Sequence, residues 1–377
     1  MMRIAITLLA ATAIAAGAAE AQEFDDPAEF QRQRELLAMT PEGPEGQPWA
    51  QHLGDGMVET SQYAIEGAGR ICFSNAGIFN PWRVVGMHNM EAAVEAEGDA
   101  IASFTVVDAE GSDDKQIADI EAMVSGGNCD ILIVSPNTTA ALTPAVEAAC
   151  ERLPVIVFDR GVATDCPVTF IQPVGGYGFG ITSAEFMVEN LEPGDNVLAI
   201  RIVPGVDVLE TRYSAARRIF EEAGINIIGS EFTQSDRATT KAVVEDYLNR
   251  GETIDGIWMD AGDTATAALE AFEDAGLDYP VISGEDQQDF LRKWQEEGLT
   301  AIGPSYPTYQ WRTPIIAAIA ILKGEPVPGP VWSLPQPAIT EETLADYVDT
   351  RMPPLHYALC GCEDLPGYPE RWGGTAQ

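Results

Sequence analysis

The chain has 377 residues, of which 46% are hydrophobic, and it carries 21 Lys or Arg against 59 Asp or Glu, a formal net charge of −38. That apolar content excludes an intrinsically disordered chain, and the length suggests two domains of ordinary size. The charge excludes nucleic acid and an anionic bilayer as partners, since a phosphate surface needs a field of Lys and Arg, and lysine occurs only at 115, 241, 293 and 323.

Met1-Met2-Arg3 supplies a short positive start. Ile4 to Ala18 is apolar or small throughout, shorter than the roughly 20 residues that span a bilayer. Ala19-Glu20-Ala21 then places small residues where a signal peptidase reads them. Residues 1–21 therefore read as a secretory signal cleaved before Gln22, and the mature chain is expected in the periplasm. An uncleaved membrane anchor is the competing reading, opposed by the length of the run. Export changes how the six cysteines read, because an oxidising compartment favours disulfides. Cys150 and Cys166 flank one predicted strand and are candidates for a local bridge. Cys360 and Cys362 can pair with each other or reach elsewhere. No metal site is expected, because His52, His88 and His356 form no ligand spacing with the cysteines.

Residues 22–66 are polar and acidic, an N-terminal extension with a helix at 27–37. From Arg70 onward short apolar runs alternate with amphipathic helical runs, the pattern of a parallel α/β sheet. Strands are expected at 71–73, 101–107, 131–134, 155–158 and 169–171, with helices at 82–97, 115–125 and 144–150. Gly175-Gly176-Tyr177-Gly178 reads as a crossover into a second half. There the strands fall at 197–202, 225–232, 257–259, 281–283 and 300–302, and the helices at 212–223, 239–249, 265–275 and 290–297. The same order recurs in both halves, so the chain reads as two Rossmann-like α/β lobes with parallel sheets joined by a hinge. The first lobe takes 67–173 plus a returning segment, 304–325, with a helix at 311–323. The second takes 174–303. Residues 326–377 form a hinge return and a Cys-containing tail.

Ligands of open parallel sheets bind beyond the carboxyl ends of the strands. Those positions hold Ser74, Asn75, Phe79, Trp82 and Arg83, then Ser135, then Asp159 and Arg160. In the second half they hold Arg212, Asp263, Asp286 and Gln287. Aromatic rings cover the apolar faces of a sugar, and Arg with Asp offers charge-assisted hydrogen bonds to its hydroxyls. Each residue also has a plainer reading. Asp159-Arg160 can be an ion pair that holds a loop, Trp82 a core residue, Asp286 a helix cap and Arg212 a solvated helix residue. The convergence of all of them on strand ends favours a ligand cleft.

At these residues the chain resembles the type I periplasmic binding proteins, in the ribose and galactofuranose branch of sugar-transporter receptors. The resemblance runs from about Arg70 to Lys323 and rests on ICFSNAGIFNPWR, ILIVSPN, VIVFDRG, the Gly205–Arg212 loop and GLDYPVISGEDQQ. It implies that Trp82, Arg83, Asp159, Arg160, Arg212 and Asp286 face a sugar. The chain departs from the family at Met259-Asp260-Ala261-Gly262-Asp263, where an Asn is usual. Ser305-Tyr306 stands where a Gln is common, and the Cys-containing tail is outside the pattern. The expected function is a monomeric periplasmic receptor that closes on a monosaccharide or related polyol and presents it to the permease of an ABC importer, with no cofactor and no catalytic residue. A sensor presenting the ligand to a membrane receptor is the alternative. A glycoside-acting enzyme is a weaker one, because carboxylates facing sugars are equally expected in a binder and no G-x-S-x-G elbow occurs.

Overall fold

The computed structural model describes residues 24–376. The predicted signal sequence lies outside the described residues. Helix Pro27–Leu37 begins with Asp26 as N-cap, whose Oδ1 accepts from the amides of Ala28 and Glu29, and Pro27 at its first position. After strand β1 (Met57–Val58) comes the first lobe, with β2 (Gly69–Asn75), β3 (Ile101–Asp108), β4 (Ile131–Ser135), β5 (Val155–Phe158) and β6 (Thr169–Pro173). The second lobe has β7 (Asn196–Arg201), β8 (Asn226–Phe232), β9 (Gly256–Met259), β10 (Val281–Ser283) and β11 (Ala301–Pro304). In each lobe these five are parallel, with the first strand between the second and third. β4, β5 and β9 are buried along their whole length, as strands covered by helices on both faces must be.

The segment after Pro326 does more than return. β12 (Val327–Pro328) pairs with β1, and β13 (Val331–Leu334) adds a sixth, parallel strand beside β6. β14 (Ala338–Ile339) then adds an antiparallel edge to β11 in the other lobe. These short runs lie among Pro and Gly, so the segment's composition reads as loop; the neighbouring sheet edges supply the hydrogen bonds that make them strands. The chain thus crosses between the lobes three times, near 174–176, 305–308 and 335–337. The crossings are tied together: Gln336 Oε1 accepts from the amide of Gly175 at 2.9 Å, and the Tyr309 hydroxyl donates to the Pro335 carbonyl at 2.5 Å.

Several helices start a turn earlier than periodicity suggests. The predicted 212–223 helix is Asp207–Ala223, and the predicted 144–150 helix is Thr139–Cys150, with Pro144 inside it. The lost proline hydrogen bond is offset by burial of Leu142 and Val146 against β4 and β5. The predicted 311–323 helix splits into a 3-10 turn, Thr308–Trp311, and helix Thr313–Lys323. Three disulfides form. Cys150–Cys166 and Cys360–Cys362 are among the candidate pairings, whereas Cys72–Cys129, which links β2 to the loop before β4, has no spacing signal.

The glycines after β6 serve close packing of helix Gly176–Asn190 against helix Asp207–Ala223. A Cβ at Gly180 would stand 2.2 Å from the Arg212 carbonyl and 2.8 Å from Ala215 Cβ. Gly180→Ala is therefore expected to lower stability by about 1–3 kcal/mol, read from denaturant unfolding. An unchanged midpoint would mean that the two helices separate freely. Because helix Asp207–Ala223 carries Arg212, this contact also sets where that side chain stands.

Candidate ligand-binding site

The strand ends of both lobes converge on a small cavity of about 50 Å³. Trp82, Arg83, Asp159 and Arg160 line it from the first lobe, and Arg212, Asp263 and Glu285 from the second. Tyr306 enters from a hinge crossing and Tyr357 from the C-terminal segment. A larger hollow of about 680 Å³ lies between the N-terminal extension, the hinge and the C-terminal segment, but it is mostly apolar and gathers no comparable set of charges.

Arg83 is placed by the start of helix Pro81–Glu97. Asn80 is the N-cap, its Oδ1 accepting from the Arg83 amide at 2.9 Å, and Pro81 fixes the first turn. The guanidinium is 1% exposed. It donates to Asn75 Oδ1 at 3.0 Å, to Ser135 Oγ at 3.2 Å and to Asp159 Oδ2 at 2.5 Å. Burial, countered by Asp159, lowers its pKa to about 10, so it stays charged at neutral pH. Asp159 has a positive φ of 70°, a left-handed conformation that costs energy for any residue but Gly. That conformation turns the chain at the end of β5. The carboxylate meets Arg83 and Ser135, while its carbonyl accepts from the Tyr306 hydroxyl at 2.7 Å. Arg160 donates to the Asn137 carbonyl at 2.6 Å.

In the second lobe Arg212 lies between two rings, 4.1 Å from the Phe179 centroid and 4.6 Å from that of Tyr306. Its Nη1 donates to the Asp260 carbonyl and stands 3.7 Å from Glu285 Oε1. That contact is too long for a hydrogen bond, so burial outweighs it and Glu285 is pushed up to about 8. Burial likewise raises Asp260 to about 7 and Asp263 to about 6. Three buried polar atoms around the cavity have no protein partner: Arg212 Nε, Asp263 Oδ1 and the Tyr357 hydroxyl. A donor, an acceptor and a group that is both are thereby left for a ligand.

The sequence-predicted residues divide three ways. Trp82, Arg83, Asp159, Arg160, Arg212 and Asp263 line the cavity. Asn75 and Ser135 stand behind it and orient Arg83. Phe79 is 52% exposed, its ring near the Arg83 and Arg160 guanidiniums rather than in the cavity. Ser74, Asp286 and Gln287 do not line it. Ser74 is bonded to Gln116, and Asp286 Oδ2 accepts from the Leu359 amide at 2.7 Å. Gln287 forms a bridge with Tyr357, and its side-chain amide lies between Asp289 and the Asp263 carbonyl. The strand-end placement of GEDQQ is right by region, but the chain turns so that Glu285 faces the cavity and Asp286 faces the tail. Tyr306 was visible only as a departure from a family pattern. Nothing in the sequence pointed to Tyr357.

Among the described residues one group has the proximity a metal needs, His356 with Cys360 and Cys362. The two sulfurs are joined to each other, which removes the thiolates a metal would bind.

Two α/β lobes crossed three times by the chain, with arginines and carboxyl groups meeting between them, define a hinged ligand-binding protein. The model of the periplasmic binding protein domain matches residues 71–326, and the chain belongs to that family. The ribose import binding protein of Bacillus subtilis is 27% identical over 223 residues, 59% of this chain and 72% of that one. Among solved structures, an ABC transporter solute binding protein from Thermobispora bispora is 25% identical with a TM-score of 0.68, covering 77% of this chain and 90% of that one. The arabinose-transporter binding protein of Shewanella sp. ANA-3, bound to α- and β-L-arabinofuranose, is 20% identical with a TM-score of 0.67, covering 74% of this chain and 93% of that one. Among the described residues no helix is long and apolar enough to cross a membrane.

Proposed function

We propose that this chain is the periplasmic receptor of an ABC importer and binds a monosaccharide in the cleft, with Arg83, Arg160 and Arg212 donating to its hydroxyls and Asp159, Asp263 and Glu285 accepting from them. The observation that carries this reading is the convergence of arginine, carboxyl and aromatic groups from both lobes on one small buried cavity. Such a set suits a compact ligand with many hydroxyls and two partly apolar faces. Membership of the family and the ribose-import relatives support it. Those relatives are binding proteins by name, and the reading for this chain is a binder that performs no reaction. The cleft groups come from separate lobes, so a solute that touches both favours the closed arrangement and shifts the open–closed balance toward it. A permease would then recognise the closed form. The apolar run before Gln22 supports export to the periplasm.

A thermal-shift screen of residues 22–377 against D-ribose, L-arabinose, D-galactose and myo-inositol tests this. A ligand at 100 times its dissociation constant stabilises the fold by about 2.7 kcal/mol. A shift with at least one of them, absent in Arg160→Ala and Arg212→Ala, is expected. No shift with any of them at millimolar concentration removes the sugar assignment.

A further inference from the structure

Residues 353–362 lie outside the family match, yet they hold both lobes. On the second lobe their backbone is bonded to the turn after β10 and to the start of helix Gln288–Glu297. The Asp289 amide donates to the Pro354 carbonyl at 2.7 Å, the Gln288 amide to the His356 carbonyl at 2.8 Å, and the Ala358 amide to the Asp286 carbonyl at 2.8 Å. On the first lobe Asn89 Nδ2 donates to the Cys360 carbonyl at 2.8 Å, and Arg312 donates to the Gly361 carbonyl. Asn89 sits on the helix that carries Trp82 and Arg83, and Asp286 follows Glu285. The segment thus spans from one wall of the cleft to the other.

Between these two anchorages stands Tyr357. It is 1% exposed, lines the cavity with Glu285 and Asp263, and its hydroxyl has no protein partner. A buried hydroxyl left unpaired costs free energy, and its natural remedy is a partner in the cavity. Burial, and after it the neighbouring Glu285, Asp263, Asp286 and Asp289, disfavour ionisation of the phenol, so it remains a donor as well as an acceptor.

We propose that the C-terminal segment completes the ligand site: Tyr357 hydrogen-bonds a hydroxyl of the bound sugar. This rests on the sugar-receptor reading above. The residue comes from outside the domain shared with the relatives, so it is a determinant of which sugar this chain prefers.

The test is calorimetric titration of the full mature chain and of Tyr357→Phe with whichever of D-ribose, L-arabinose, D-galactose and myo-inositol shifts the wild type. Tyr357→Phe is expected to weaken the neutral sugar roughly five- to tenfold, about what one hydrogen bond contributes. The ligand-free melting temperature should stay level or rise, because the variant removes an unpaired buried hydroxyl. A merely structural role would lower that temperature instead. Equal affinity of the variant and the wild type overturns the assignment while leaving the receptor reading intact. If none of the sugars binds the wild type, the receptor reading falls and takes this assignment with it.

Discussion

Arg83→Met is expected to be among the most damaging single changes in this protein, costing about 3–5 kcal/mol of stability and eliminating sugar binding. The guanidinium is held in the interior by Asn75, Ser135 and Asp159, all themselves buried. Methionine fills much of the volume, so the loss is electrostatic: the Asp159 carboxylate loses its hydrogen-bonded cation and keeps as cation only Arg160 Nε at 3.9 Å, and Asn75 Oδ1 is left without its donor. Breaking a buried pair from one side strands the other charge, whereas neutralising both is far milder. The double variant Arg83→Met, Asp159→Asn should therefore regain a good part of the lost stability, although not the binding. Urea unfolding of the wild type, the two single variants and the double variant completes the cycle. If the double variant is destabilised by the sum of the two single changes, Arg83 and Asp159 do not act as a pair.

Stability is expected to fall as pH rises from 6 to 8.5, opposite to what the many exposed acids suggest. Burial raises Glu285 from an ordinary 4.5 to about 8 and Asp260 from 3.8 to about 7. Over this range the unfolded chain has already released protons that the fold still retains. Unfolding therefore releases protons, and each unit of pH below a group's folded pKa weakens the fold by about 1.4 kcal/mol per retained proton. The contribution of these groups is fully present below about pH 4, their unfolded range, and is lost as pH passes 7 and then 8. His356 works the other way. Burial lowers it from 6.5 to about 4, so its contribution is lost as pH falls through that interval and leaves the range above 6.5 unaffected. Asp263, raised to about 6, has given up most of its share by pH 6. The expected loss between pH 6 and 8.5 is about 4 kcal/mol, a drop of roughly 6 °C in melting temperature for a chain of this size. Glu285→Gln should flatten the upper part of the curve, because an amide carries no proton to lose. A melting temperature that holds level or rises to pH 8.5 would mean that these carboxyl groups are hydrated in solution. The same drop in wild type and Glu285→Gln would assign it to Asp260 alone.

The two α/β lobes, their strand order and the returning segment were legible along the chain because parallel strands buried on both faces read as continuous apolar runs. The helices between them keep a helical period. Their carboxyl ends located the cleft, so Arg83, Asp159, Arg160 and Arg212 could be named before any coordinates. All four leave strand ends or the adjoining helix starts, where chain direction alone aims a side chain inward. Which neighbour in Glu285-Asp286-Gln287 faces the cavity depends on the twist of one turn after β10, and spacing carries no record of that. Cys72 pairing with Cys129 required β2 and β4 to lie side by side. The strands β13 and β14 exist because sheet edges from both lobes offer them partners, an interaction separated by more than a hundred residues for β6 with β13. Tyr357 illustrates the limit most plainly. Its sequence neighbours are prolines, a leucine and a histidine, with no periodicity to mark them. Only the packing of residues 353–362 against Asp286, Gln288 and Asn89 brings its hydroxyl into the cleft. Local pattern determined the lobes and the arginines, since those follow from periodicity and chain direction. Long-range contacts decided what closes the site.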